Sequence, residues 1–280
     1  MQPHKIASKD EWLAARKALL AREKELTRLR DRISAERRAL PWVKVEKTYV
    51  FETPQGKKTL SDLFEGRSQL IVKHFMLAPG QFEGCVGCSF EADHVEGALV
   101  HLEHHDVTYV AVARAPLSEI EAYRKRMGWN FTWVSSGHSD FNYDFNVSFT
   151  PDQIANGKVS YNYETIEVPI EDLSGNSVFF KAENGEIFHT YSTYGRGLEE
   201  ILGTYMYLDI TPKGRNENGP NHNLTDWVGF TIATAAADTS TPQDVIVRPT
   251  ANTPAARPPN RTRNFTRRPS GICLETTKGA

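Results

Sequence analysis

The chain has 280 residues, 39% of them apolar and 24% charged, with a formal net charge of −2. That length accommodates one domain of about 150 to 200 residues with extensions, or two small domains, and nothing in the composition calls for a fibrous, membrane-embedded or wholly unfolded chain. The near-balanced charge lacks the basic footprint with which nucleic-acid binders neutralise phosphates, so nucleic acid is not expected as a partner.

Residues 1–16 carry charges but lead into no apolar stretch of the kind a signal peptide has. The most apolar run, 70–77, contains Lys73 and His74, so no membrane span is expected either. The three cysteines, two of them in one C-x-x-C, do not form the even, spread-out framework of a secreted disulfide scaffold. A reducing, cytoplasmic setting fits them better.

Residues 8–38 are rich in Ala, Leu, Glu, Lys and Arg, and Trp12, Leu19, Leu26, Ile33 and Leu40 recur every seven residues. This spacing predicts one long amphipathic helix, opened by a Ser8/Glu11 capping box and closed by Pro41. Such a helix either pairs with a second copy as a homodimeric coiled coil or, more simply, lies against its own domain. Alternation over 44–52 and the turn at Pro54-Gln55-Gly56 predict a strand and hairpin, and 59–64 a short helix.

A buried-type strand at 70–76, one helix over 85–104 and a second apolar strand at 107–113 make a βαβ unit. A helix at 117–127, with Ile120, Tyr123 and Met127 on one face, and a short strand at 133–135 follow. After an insert rich in aromatics and asparagine, 177–182 and 186–191 flank Glu183-Asn184-Gly185 as a hairpin. A last helix is expected at 198–208. The order predicts an α/β fold, a mixed sheet with helices on both faces. Three segments result: the amphipathic helix (1–40), the α/β domain (41–230) and a disordered tail (231–280) dominated by Ala, Thr, Pro and Arg.

The main chemical signal is the position of Cys85-Val86-Gly87-Cys88, which follows a buried strand and a glycine-containing loop and opens a helix. Unpaired N–H groups and the helix dipole favour thiolate at a helix N-terminus, so Cys85 is expected to be the attacking sulfur. Cys88, one turn further in, lies on the same side and can resolve a mixed disulfide. Gly84 and Gly87 are expected to leave room for a substrate sulfur.

Cys85, Cys88, His101 and His105 also match the spacing of a two-Cys, two-His zinc finger. On one continuous helix of about 20 residues, however, the cysteines and histidines would lie some 20 Å or more apart, so neither a metal nor another cofactor is expected. His94, His104 and His105 read as helix-surface or helix-end residues, and His74 as a core histidine. Glu83 and Glu91 flank the motif and could move protons, although a nearby carboxylate opposes thiolate formation. Neither is assigned a role. The aromatic segment 135–149 reads equally as the lining of a substrate groove or as a loop packed down by its own rings.

Several long motifs carry a family resemblance: Phe82-Glu83-Gly84-Cys85-Val86-Gly87-Cys88-Ser89-Phe90 with Ala92-Asp93-His94, Arg126-Met127-Gly128-Trp129, Ser139-Asp140-Phe141-Asn142-Tyr143-Asp144, and Phe188-His189-Thr190-Tyr191-Ser192-Thr193-Tyr194. Over residues 1–230 the chain resembles a thioredoxin-like family described as domain of unknown function eight-nine-nine, whose members are commonly described as predicted dithiol-disulfide oxidoreductases. The resemblance implies a thioredoxin-like fold of the peroxiredoxin branch and a redox pair at Cys85 and Cys88. Val86-Gly87 differs from the Gly-Pro of thioredoxin, and Ser177 stands where thioredoxins place a proline facing the dithiol.

The leading expectation is thiol–disulfide exchange with a protein or small-molecule disulfide, supported by a thiol electron donor. The alternatives are peroxide reduction, with Cys85 peroxidatic and Cys88 resolving, and a redox-inactive thioredoxin fold that binds or oligomerises through its N-terminal helix.

Overall fold

The structure, a computed structural model, describes residues 4–167, 170–215 and 228–229. The tail expected to be disordered, 231–280, lies outside the described residues. In chain order the elements are α1 (Lys9–Arg38), β1 (Val43–Lys44), β2 (Val50–Thr53), β3 (Gly56–Thr59), a short 3-10 turn (Asp62–Phe64), β4 (Gln69–His74), α2 (Val86–Glu96), α3 (Leu99–His104), β5 (Val107–Ala113), α4 (Leu117–Met127) and β6 (Thr132–Ser135). Then come α5 (Phe141–Asp144), α6 (Pro151–Ala155), β7 (Val159–Tyr161), β8 (Glu164–Ile166), β9 (Gly175–Lys181), β10 (Ile187–Tyr194), a 3-10 segment (Gly195–Ile201) and α7 (Gly203–Asp209).

Eight strands form one mixed sheet in the order β1-β10-β9-β4-β5-β6-β2-β3. β4, β5 and β6 run parallel, whereas β9 pairs antiparallel with β4 and β10 with β9. A parallel βαβ unit extended by an antiparallel hairpin, with the C-x-x-C following its first strand, is the thioredoxin-like arrangement. Val72, Val110 and Val112, which expose essentially no surface to water, occupy the sheet centre as expected of strands covered on both faces.

Side chains alternate across β4. Leu70 and Val72 pack with Phe51, Leu63, Phe64, Phe141 and Phe179 on one face. The other face carries Tyr109, Ala111 and Trp133 beneath α2 and α4, where Lys73 also meets α2. Ile120, Tyr123 and Met127 are the buried residues of α4, on the face read from the sequence.

Two expectations need correction. The helix expected over 85–104 is two helices, broken at Gly97 and Ala98. The break leaves no trace in the pattern because Val95, Leu99 and Leu102 keep the apolar period and all pack on the same cluster. The helix expected over 198–208 is likewise a 3-10 segment and then α7, which begins at Gly203. Segment 135–149 is packed down, and not only by its own rings: Phe141 is fully buried, 4.7 Å from Phe145 and in edge contact with Tyr49 and Phe51, and β7 and β8 beyond it form a separate hairpin.

α1 has the expected capping box, with Ser8 and Glu11 satisfying each other's backbone N–H groups. It does not lie down on the domain, since none of its residues is buried. Trp12, Leu19, Leu26 and Ile33 are all more than 40% exposed. Its last turn is tied by Arg37, which stacks over Tyr191 at 5.0 Å and pairs with Glu200 at 3.7 Å.

Candidate active site

β4 continues past His74 through Phe75, whose N–H donates to Val112 O at 2.8 Å, and the chain then turns back to α2. The turn is held on both sides. Gln81 Oε1 accepts from the Ala78 N–H at 3.0 Å, and Glu119 Oε2 from the Gly80 N–H at 3.0 Å. Gly80 has a φ of +79°, where a side chain would be strained.

Arg126 from α4 grips Glu83 with two hydrogen bonds, 2.8 and 2.6 Å, and lies over the Tyr123 ring at 4.7 Å. At Gly84 an added Cβ would stand 2.7 Å from Phe75 and 2.8 Å from Tyr123. The absent side chain there makes room for core aromatics rather than for a substrate sulfur.

Cys85 is the N-cap of α2, and its N–H donates to Met76 O at 3.2 Å. Its carbonyl accepts from both the Ser89 N–H and the Ser89 hydroxyl at 2.9 Å, and that hydroxyl also meets Tyr123 Oη at 2.9 Å. The first turn is therefore braced from α4. Cys85 is partly exposed and Cys88, three residues on, is 1% exposed; neither is in a disulfide.

The two sulfurs are in hydrogen-bond contact. Burial pushes the Cys88 thiol well above its ordinary value and the neighbouring Cys85 adds to this, whereas Lys73 and a backbone hydrogen bond with Met76 act the other way. Cys88 is therefore the protonated, sheltered member of the pair and Cys85 the accessible one.

Beneath the sulfurs lies an ion pair, Lys73 with Glu91, in which both side chains are almost wholly buried. Burial opposes the lysine charge. The Glu91 carboxylate, and then the Cys88 and Cys85 sulfurs, more than offset that and hold Lys73 above its ordinary value. Asn176 from β9 donates to Glu91 Oε1 at 2.8 Å. Tyr109 from β5 is 6% exposed, and burial, followed by the Glu91 and Cys88 charges, keeps its phenol neutral.

The histidines are placed elsewhere. His74 points to the opposite sheet face, stacked on Phe141 and bonded to Ser177 Oγ at 2.8 Å. Ser177, set opposite the dithiol in the sequence reading, is thus turned away from it, and Asn176 faces the site instead. His94 joins α2 to α7: the Thr204 N–H donates to its Nε2 at 3.1 Å, leaving Nδ1 to donate to Phe90 O at 2.6 Å. His101, His104 and His105 are on or beside α3, away from the sulfurs. Among the described residues, no group of three or more His, Cys, Asp or Glu is arranged to hold a metal ion.

The family model described as "bacterial protein of unknown function (DUF899)" matches residues 1–231. The chain belongs to this family. None of the curated proteins is similar enough in sequence to match. Among solved structures, the DUF899 chain is similar to the peroxidoxin BcpB of Mycobacterium tuberculosis, with 12% identity over 58% of this chain and 94% of that one and a TM-score of 0.38. It is also similar to a cysteine-to-serine mutant of PrxQ from Xylella fastidiosa (16% identity, 57% and 88% covered, TM-score 0.36) and to the reduced 2-Cys peroxiredoxin of Plasmodium vivax (13% identity, 60% and 94% covered, TM-score 0.36).

Sequence reasoning finds the cysteines of this DUF899 chain and names Glu91 without giving it a role, but misses the groups that surround it. From the sequence Lys73 argues only against a membrane span, and neither Asn176 nor Tyr109 stands out. The available signal was a lysine inside an otherwise apolar run, a position tolerated only when its charge is matched. No helix among the described residues is long and apolar enough to cross a membrane.

Proposed function

We propose that this protein is a thiol–disulfide oxidoreductase in which Cys85 attacks a substrate disulfide and Cys88 resolves the mixed disulfide. The observation that carries this reading is the contact between a partly exposed sulfur at a helix N-terminus and a buried sulfur within the first turn. The helix dipole stabilises an anion on the first sulfur, and burial keeps the second protonated until the mixed disulfide forms beside it. The braced loop before Cys85 limits motion of the attacking atom.

Cys85→Ser is expected to abolish turnover of a model disulfide such as insulin, and Cys88→Ser to accumulate a covalent substrate adduct visible by intact-mass measurement. Full reductase activity in Cys85→Ser removes the reading. Rapid dimedone labelling of Cys85 in Cys88→Ser after peroxide, with no disulfide turnover by the wild type, replaces it with peroxide reduction.

A second reading, in which the chain brings two copies together, is favoured by the uncovered seven-residue stripe of α1. In a parallel pair of such helices Glu25 of one copy flanks Arg30 of the other, the charge arrangement that sets register in coiled coils. Sedimentation is expected to show a dimer that dissociates when residues before Pro41 are removed; a monomer at all concentrations sinks this reading.

A further inference from the structure

Four elements each send one polar group beneath Cys88: Lys73 from β4, Tyr109 from β5, Asn176 from β9 and Glu91 from α2 itself. Their exposures are 1%, 6%, 6% and 3%. A buried ion pair adds little stability over a well-packed apolar pair of the same volume, so its presence under a reactive thiol calls for another reason.

Two atoms of this cluster, Asn176 Oδ1 and Tyr109 Oη, have no hydrogen-bond partner. The same Asn176 amide already donates to Glu91. An ionised carboxylate only accepts and leaves the amide oxygen unmatched, whereas a protonated carboxyl also donates and can satisfy it. The cluster is thus built for two states of Glu91, of which the reduced dithiol shows one.

We propose that Glu91 accepts the Cys88 proton during the closing step, that the Lys73 charge then pairs with the Cys88 sulfur, and that Asn176 holds Glu91 in both states. This rests on the reading of Cys85 and Cys88 as an exchanging pair. Before the step, Cys85 is joined to a substrate sulfur and Cys88 is a thiol. The Cys88 proton passes to the Glu91 carboxylate, and the sulfur lone pair attacks Cys85. A Cys85–Cys88 bond forms as the Cys85–substrate bond breaks, and the substrate leaves as a thiolate; the proton held by Glu91 then passes to that thiolate through water, so that Lys73 again faces a carboxylate. The dithiol is oxidised and the substrate disulfide reduced; a dithiol reductant restores the starting state.

Net charge in the buried cluster stays constant while the proton moves. Lys73⁺ beside Glu91⁻ becomes Lys73⁺ beside the Cys88 thiolate, so no unpaired charge is left in a low-dielectric site. Tyr109 stays a neutral hydroxyl without a partner while Glu91 is the anion, so its donor is free for the Cys88 thiolate once that forms. Glu83, the other acid near the motif, is exposed and held by Arg126, outside this cluster.

The test uses the aryl disulfide dithiobis(nitrobenzoate) on the reduced full chain carrying Cys273→Ser. Attack by Cys85 releases one aryl thiolate, and closure by Cys88 releases a second. Glu91→Gln is expected to leave the first release intact and to slow the second by roughly tenfold or more at neutral pH. The gap should narrow as rising pH lets hydroxide take the proton, and Glu91→Asp should recover part of the rate.

Lys73→Met/Glu91→Leu, which removes the pair without stranding a charge, should be slowed in the same pH-dependent way and covers the case in which Glu91→Gln does not fold. Closure at the wild-type rate across the pH range in either folded variant overturns the proposal while leaving the exchanging dithiol in place. A wild-type chain that releases only one aryl thiolate overturns both.

Discussion

Lys73 shows how one side chain ties the stability of the molecule to its chemistry. Its ammonium is 1% exposed and its only ion-pair partner among the described residues is Glu91, contributed by the helix that carries the dithiol. Removing one partner of a buried pair strands the other charge at a cost of about 3–5 kcal/mol, whereas replacing both with apolar groups of similar volume is close to neutral. Lys73→Met is therefore expected to lose about that much stability in urea denaturation, and Lys73→Met/Glu91→Leu to regain most of it. Equal losses in the single and double variants would mean that the pair is not coupled in this way. The cysteines were legible because C-x-x-C after an apolar strand is a local pattern. Lys73 and Glu91 lie 18 residues apart on different elements, and only the crossing of α2 over β4 brings them together, which no local spacing encodes.

At the scale of elements, β4, β9 and β10 are joined by a polar chain on the face away from the dithiol. His74 Nε2 meets Ser177 Oγ at 2.8 Å, Ser177 meets Ser192 Oγ at 2.8 Å, and Ser192 meets His189 Nε2 at 2.7 Å. Burial, with Lys73 and His189 adding to it, pushes His74 down to about 3 from 6.5. Between these values the unfolded chain binds a proton that the folded one refuses, so stability rises with pH there and is lost as pH falls from 6.5 towards 3. The slope from this group is at most about 1.4 kcal/mol per pH unit. Denaturation series at several pH values should show a shallower acid loss in His74→Gln than in the wild type; parallel pH profiles would remove His74 from this role. β5 and α4 were readable to the residue, because one is a pure apolar run and the other keeps a clean three-to-four-residue period. The breaks at Gly97 and Leu202 were not, since the apolar period runs through the first and a change of helix type leaves no periodic mark at the second.

Across the whole molecule, the mixed sheet and the placement of the C-x-x-C at the start of the helix after β4 could be inferred from the alternation of elements, because a βαβ unit followed by a hairpin has few ways to form one sheet. The insert could not: its burial depends on Phe141 and Phe145 closing over β2 and His74, contacts that span most of the domain. The same architecture places an accessible sulfur at the mouth of a helix and gives its buried neighbour a matched ion pair below. A site built this way lets the two sulfurs exchange reversibly between dithiol and disulfide. Equilibrating the Cys273→Ser chain in a graded series of reduced and oxidised glutathione, and reading by intact mass after acid quench, tests this most directly. An exchanging dithiol gives one cooperative transition with the loss of two hydrogens, absent in both Cys85→Ser and Cys88→Ser. A chain that stays fully reduced, or that gains only a stable glutathione adduct without closing the ring, would contradict it.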